Sequence, residues 1–345
     1  MAITVIGTTD NKASKLWSKA LFRDTLAKMY FKKFMGEGSG SIVQVLTETK
    51  KSKGDKVTFA LRMQLSGAGR TGQQTLEGNE EDLSFYDSAV YIDLMRHAAK
   101  IDTTITQQRV EYNLRKEVRD GLSDWWAQRL DSYMFRYLAG DTSVTFAGNT
   151  ASSADSSHVV FASTCTAESQ LTTAMPVTLT LIDKAVKIAK TNSPIVRPIN
   201  IDGDSYYAVV LHPYQVYDLR TSTNTGQWLD IEKAAMMGGK IKDNPIFTGA
   251  LGLYNGCILY ESNNVHVGAY GASSVNVYRA LLLGAQAGVI AFGQENGVDH
   301  FTWREELYDY GKNLGVAASA IWGMQKCVFN SKDFGVVTIA TGATA

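Results

Sequence analysis

Residues 67–72 read GAGRTG, the glycine spacing with which many dehydrogenases cradle a dinucleotide's pyrophosphate. That turn works because a strand delivers it straight into a helix, whose N-terminal amides and dipole hold the phosphates, and because an acid further along takes the ribose. Asp93 stands at about the ribose-binding distance, and an alternating strand pattern precedes the glycines. The next residues are QQTLEGNEEDL, interrupted by Gly78 and without an apolar helical stripe. Glu77, Glu80, Glu81 and Asp82 would crowd negative charge against any bound phosphate. An NAD-dependent oxidoreductase is thus an alternative carried by GAGRTG and Asp93 alone.

Other chemistry is sparse. The sequence contains no G-x-x-x-x-G-K-[ST], H-E-x-x-H, G-x-S-x-G or EF-hand pattern. His97, His158, His212, His266 and His300 are scattered, and Cys165, Cys257 and Cys327 form no C-x-x-C pair, so neither a disulfide framework nor a zinc site is expected. The carboxylates at 77–82 lack the alternating oxygen ligands of a calcium loop. They read as a solvated or partner-facing cluster. No catalytic residue, cofactor or metal is expected, and the chain does not read as an enzyme.

Composition allows a large core: 45% of the 345 residues are hydrophobic and 20% charged. Lysine plus arginine balances aspartate plus glutamate at 34 each, so no global basic field points to nucleic acid. The apolar run ALLLGAQAGVIAF from Ala280 is shorter than the ~20 residues of a membrane span, and no basic leader precedes an apolar segment. A cytosolic chain with reduced thiols is expected.

These residues need elements to place them. Residues 11–35 carry Leu16, Trp17, Leu21, Met29 and Phe34 at loose helical spacing, ending in GEGSG at 36–40: a helical N-terminal arm with a hinge. Val57, Phe59, Leu61, Met63 and Leu65 alternate, as do Val90, Ile92 and Leu94, predicting a long hairpin with a glycine and acid tip. The spacing predicts a helix over 104–139, with Leu114, Val118, Leu122, Trp125, Leu130, Tyr133, Met134 and Tyr137 on one stripe. Trp126 lies ~100° round, against another element or subunit. Residues 141–173, rich in Ser, Thr, Ala and Gly, predict a surface insertion. A helix through Leu179, Ile182 and Val186, a strand over 206–211, short helices over 214–220 and 228–237, and several strands from Cys257 onward complete an α+β chain.

Arm, acidic-tipped hairpin, very long helix and α/β body, in that order, resemble the Hong Kong-type coat fold of tailed-bacteriophage major capsid proteins. The strings LEGNEEDLSFYDSAVYIDL from Leu76, GALGLYNGCILYESNNV from Gly249 and ALLLGAQAGVIAFG from Ala280 resemble the podovirus-type coat family related to the phage N4 major capsid protein. The resemblance implies an N-terminal arm over 1–49, an extended loop over 50–100, a peripheral domain with a spine helix over 101–199, an axial domain over 200–284 and a return to the peripheral domain over 285–345. It implies a virion protein, made in the host cytoplasm, that assembles with itself as hexamers and pentamers around double-stranded DNA, with portal, decoration and separate scaffolding proteins as partners and no membrane. A structural or binding module outside capsids is the remaining alternative. Arg70, Glu77, Glu80, Glu81 and Asp82 at the hairpin tip, with Arg109, Arg115 and Arg119 of a neighbour's spine helix as basic partners, are the candidate subunit contacts.

Overall fold

The structure is a computed structural model and describes residues 11–46, 56–61, 69–72, 75–77, 80, 86–101, 108–109, 113–201, 203–222, 252–295, 298–299, 301–310 and 312–343. In chain order the main elements are α1 (Asn11–Lys28), β1 (Val43–Leu46), β2 (Lys56–Leu61), β3 (Tyr86–Tyr91), β4 (Asp93–Ile101), α2 (Leu114–Leu138), β5 (Val159–Phe161), α3 (Leu179–Thr191), β6 (Asp204–Leu211), α4 (Pro213–Thr221), β7 (Cys257–Glu261), β8 (Val277–Leu283), β9 (Gly288–Phe292), β10 (Phe301–Tyr308), β11 (Asn313–Lys326) and β12 (Val336–Thr341).

The first sheet is organised by β11, whose 14 residues make it the longest strand described. It pairs antiparallel with β9 through Trp322–Lys326 and with β10 through Asn313–Ala320, the two lying end to end on one edge, and with β4 through Leu314–Trp322 on the other. Strand β1 adds parallel to β9. Helices α1 and α2 cover one face, running in the same direction, with Arg115 over the Trp17 ring and Lys28 paired to Asp124 at 2.5 Å. Aromatic rings fill the space between: Trp126 meets Phe301 at 4.9 Å edge-on, and Trp17 stacks on Trp303 at 5.5 Å. The predicted stripe of α2 is buried at Leu122, Leu130, Met134 and Tyr137, but its tryptophan is exchanged. Trp126 is 0% exposed in the core, while Trp125 is only partly buried and stacks on His97 of β4 at 4.1 Å.

The second sheet runs Leu253–Tyr254, β7, β6, β8, β12, β5. Its central strands, YAVVL in β6, ALLL in β8 and VVTIA in β12, are nearly continuous apolar runs, as strands covered on both faces require. Alternate residues serve different cores. Val209, Leu211, Ala280 and Leu282 pack with Leu179, Ile182, Ala185 and Val186 of α3, whereas Ala208, Val210, Leu281 and Leu283 belong to the core built around α2. The two sheets thus share one contiguous interior.

Two sequence expectations change. The 141–173 segment is no loose insertion: β5 pairs parallel with β12 inside the second sheet, and Asp141, Asn149 and His158 are buried. Its low apolar content hid this, because the few apolar residues it buries, Val144, Ala151, Val160, Ala162 and Leu171, are joined by buried polar groups. The chain's return after residue 285 is also divided, since β9 to β11 join the first sheet but β12 closes the second. The 228–237 helix and the 62–65 end of the predicted strand lie outside the described residues.

Candidate assembly interface

Strands β2 and β3 pair antiparallel from Lys56 opposite Tyr91 to Leu61 opposite Tyr86, so the predicted hairpin is real at its root. Alternation in KVTFAL drives Val57, Phe59 and Leu61 to one face, where they pack with Val90, Val289, Ala291, Cys327 and Phe334. A two-stranded ribbon cannot stand alone. Here its apolar face is seated on its own subunit.

The root is held by polar groups that spacing did not reveal. At the corner between β3 and β4, the Tyr91 N–H donates to Asn149 Oδ1 (2.9 Å) and the Asn149 amide donates to the Tyr91 carbonyl (2.7 Å), so one side chain replaces a strand partner. Tyr137 of α2 donates to the Asn149 carbonyl at 2.6 Å, fixing that loop to the helix. Gln286, fully buried, donates to Gln44 Oε1 (3.0 Å) and the Ala60 carbonyl (3.4 Å) and accepts from Arg197 Nη2 (2.6 Å). Gly323 lies where a Cβ would collide with the Tyr91 carbonyl, so only glycine lets β11 pass under the corner. Two glutamine and asparagine side chains, far apart in sequence, thereby aim the hairpin.

Toward the tip, Gly69 and Gly72 adopt left-handed φ of 68° and 66°, and Arg70, Glu77 and Glu80 are exposed. Glu81 and Asp82 lie outside the described residues. The glycines belong to an antiparallel hairpin, not to a strand–turn–helix crossover, and residues 75–77 are not helical. Asp93 sits in a different sheet and accepts the N–H of its own neighbour Leu94 at 2.7 Å. The oxidoreductase reading has no support in this geometry.

The three basic candidates part ways. Arg109 is exposed in a helical pair, 108–109, ahead of the break at Asn113, whose side chain accepts from the N–H groups of Arg115 and Lys116 and starts α2 later than the sequence suggests. Arg115 pairs with Glu305 of β10 at 2.6 Å. Arg119 pairs with Asp120 at 2.8 Å and Asp24 of α1 at 3.6 Å, and both guanidiniums lie over the Trp17 ring at 4.8 and 5.4 Å. Arg115 and Arg119 therefore anchor the N-terminal arm to the spine helix within the subunit.

His212, Cys257 and Cys327 serve the fold. His212 accepts the Tyr214 N–H and caps α4, and burial holds its pKa below the ordinary imidazole value. Burial pushes the Cys257 thiol up to about 12 and the Cys327 thiol up as well, which keeps both protonated. Among the described residues no group of three or more His, Cys, Asp or Glu side chains could hold a metal ion.

A long helix backed by a sheet, a hairpin rooted in its own subunit and a second sheet joined through a common core define a shell-building subunit of the Hong Kong-type coat fold. A family model described as phage capsid protein matches residues 5–345. The chain belongs to that family. It is 26% identical to a major capsid protein of Pseudomonas phage KPP25, over 96% of this chain and 96% of that one. Among solved structures, the capsid of Ralstonia phage GP4 superimposes with a TM-score of 0.80 at 33% identity, over 100% of this chain and 99% of the other. The cyanophage Pam1 capsid asymmetric unit does so with a TM-score of 0.73 at 22% identity, over 92% and 93%. The chain is a major capsid protein, a structural component of a phage shell.

Proposed function

We propose that this subunit assembles into hexamers and pentamers that close an icosahedral shell around double-stranded DNA, working by geometry rather than catalysis. The observation that carries the reading is the hairpin, whose root is fixed by Asn149 and Gln286 while Arg70, Glu77 and Glu80 are exposed. A rigid root and a projecting tip suit a subunit that repeats one contact in rings of five and six. In this reading residues 1–49 are the arm, 50–100 the extended loop, 101–199 and 285–345 chiefly the peripheral domain and 200–284 the heart of the axial domain, with β5, α3 and β12 drawn into the axial body. The tip acids Glu77, Glu80, Glu81 and Asp82, with Arg70, contact a neighbouring copy, and Arg109 is the exposed member of the three arginines. Arg115 and Arg119 contribute by holding the arm. Assembly takes place in the host cytoplasm with portal, scaffolding and decoration proteins.

Balanced charge supports a wall that encloses DNA without gripping it, because neutralising many phosphates brings strong, salt-dependent binding. Electron microscopy of the expressed protein, alone and with a co-expressed scaffold, is expected to show rings or shells. A small soluble oligomer under both conditions would overturn the reading.

A further inference from the structure

The turn at one edge of the second sheet carries a chemically labile pair. Leu253–Tyr254 pairs antiparallel with β7, Tyr254 opposite Cys257, and leaves Asn255 and Gly256 as a two-residue connection. Their φ angles, 45° and 71°, are both positive, as a type I′ hairpin turn requires, and Asn-Gly meets that requirement at little cost. A Cβ on Gly256 would meet nothing within 4 Å, so backbone conformation and not packing calls for glycine. Glycine has a chemical consequence. With no side chain beside it, its backbone nitrogen is open to the amide carbon of the preceding asparagine, and Asn255 is exposed to water. Two neighbouring elements hold the pair. From α3, Asp183 Oδ1 accepts the Asn255 side-chain amide at 2.8 Å and Oδ2 accepts the Tyr254 hydroxyl at 2.9 Å. Burial and the Asp183 carboxylate push the Tyr254 hydroxyl up to about 12, so it remains a donor through neutral pH. Asp183 is itself steadied by its helix, whose Ile182, Ala185 and Val186 are buried in the core under the sheet. From β6, the Tyr207 N–H donates to the Gly256 carbonyl at 2.9 Å.

We propose that Asn255 is a deamidation site kept dormant by Asp183. The reaction joins the Gly256 nitrogen to Asn255 Cγ and breaks the Cγ–Nδ2 bond. Ammonia leaves with the proton that the nitrogen gives up, and water then opens the cyclic imide to aspartate or isoaspartate. To start it, the Asn255 side chain must turn until Cγ faces the Gly256 nitrogen, and Nδ2 then leaves Asp183 Oδ1. That charge-assisted hydrogen bond is therefore part of the barrier. The product is not held. A carboxylate at 255 has no N–H to offer and stands against Asp183, so like charges push the turn away from α3. Isoaspartate goes further, because it lengthens the main chain of a turn that fits two ordinary residues. The turn asks for the labile pair and Asp183 makes it durable. Asp183 is thus a positioning residue, and the inference concerns the single subunit, independent of how copies assemble.

The test incubates the full-length subunit at neutral pH, digests it with trypsin, and follows amide-to-acid conversion and isoaspartate at residue 255 by mass. Folded wild type should convert slowly. Asp183→Ala should convert roughly tenfold faster or more, the factor set by losing one hydrogen bond to a charged group. Asp183→Asn keeps an acceptor oxygen and should stay close to wild type. The sequence's other Asn-Gly, 296–297, falls in a different tryptic peptide and should convert at one rate in all three chains. Unfolding wild type in urea removes the clamp without a substitution and should speed conversion at 255 by at least the same factor. Asn255→Asp supplies the product directly, and amide exchange at 253–257 should quicken while exchange in α4 keeps its wild-type rate. Equal rates at 255 in folded wild type and Asp183→Ala would overturn the proposal, as would folded wild type converting as fast as the chain in urea. A rise at 296 equal to that at 255 would assign the effect to general loosening of the fold, also against it. Unchanged exchange at the turn of Asn255→Asp would overturn the unhooking from α3.

Discussion

Asp131 shows how one carboxylate can join an arm to a spine. Residue 131 faces the core side of α2, and its oxygens accept the N–H groups of Tyr30 (2.7 Å) and Phe31 (3.2 Å) at the turn after α1. Burial raises its pKa to about 6 against those two stabilising hydrogen bonds. Because the folded state holds the proton more tightly than the unfolded chain, whose value is 3.8, this group's contribution to stability is greatest below 3.8 and falls as pH rises to about 6. The change is ~3 kcal/mol at most. In urea unfolding of the unassembled subunit from pH 3.5 to 8, the stability of wild type relative to Asp131→Asn, which keeps an acceptor for the arm, should show this fall. A second buried group behaves differently. Lys326 and Asp333 pair at 2.6 Å with side chains 0% and 1% exposed, and the ammonium also donates to the Ser153 carbonyl at 3.1 Å. Lys326→Met alone strands a buried carboxylate and should cost about 3–5 kcal/mol, whereas Lys326→Met with Asp333→Leu should recover most of it. Denaturant midpoints of the two variants decide the point.

Among elements, those whose side-chain period is set by one buried face were legible in the sequence. Val57, Phe59 and Leu61 alternate because β2 has one covered face, and the hairpin root is a direct consequence. In α2 the stripe through Leu122, Leu130, Met134 and Tyr137 was legible but the choice of tryptophan was not, since Trp125 and Trp126 are adjacent and equally apolar; the partner aromatic Phe301, far along the chain, decides which one is interior. Segment 141–173 was illegible for another reason. Val144, Ala151, Val160, Ala162 and Leu171 are buried but too widely spaced to show a period, and the partners of Asp141, Asn149 and His158 leave no periodic trace. Asn149 is where the role of a polar partner can be tested at the level of an element. Asn149→Ala removes the stand-in strand partner of Tyr91 and should cost about 1–3 kcal/mol, with amide exchange at 86–91 accelerating more than exchange in α3. Equal acceleration throughout would mean the residue supports the whole fold and not the corner.

At the scale of the molecule, the two sheets must hold a fixed relation for a shell to be regular, and Arg279 is placed to fix it. It stands on β8 of the second sheet, and Nη1 donates to the Ala139 and Gly140 carbonyls at 3.1 and 3.5 Å, the end of the spine helix that backs the first. Nε and Nη2 donate to the two Glu168 oxygens at 2.6 and 2.7 Å, a fork that sets the plane of the guanidinium. Cationic charge at a helix C-terminus also meets the negative end of the dipole. Lysine keeps the charge but has neither the fork nor the reach to serve helix and glutamate together. Arg279→Lys should therefore cost only about 1–2 kcal/mol in subunit unfolding, because the shared apolar interior of Leu281, Leu283 and Met134 remains. Its larger effect should fall on assembly, since a small change in the angle between the sheets is repeated at every contact around a ring. Electron microscopy should then show shells of mixed diameter or open sheets at protein concentrations where wild type closes. Uniform closed shells from the lysine variant would show that the apolar core alone sets the angle and that the clamp serves only local stability.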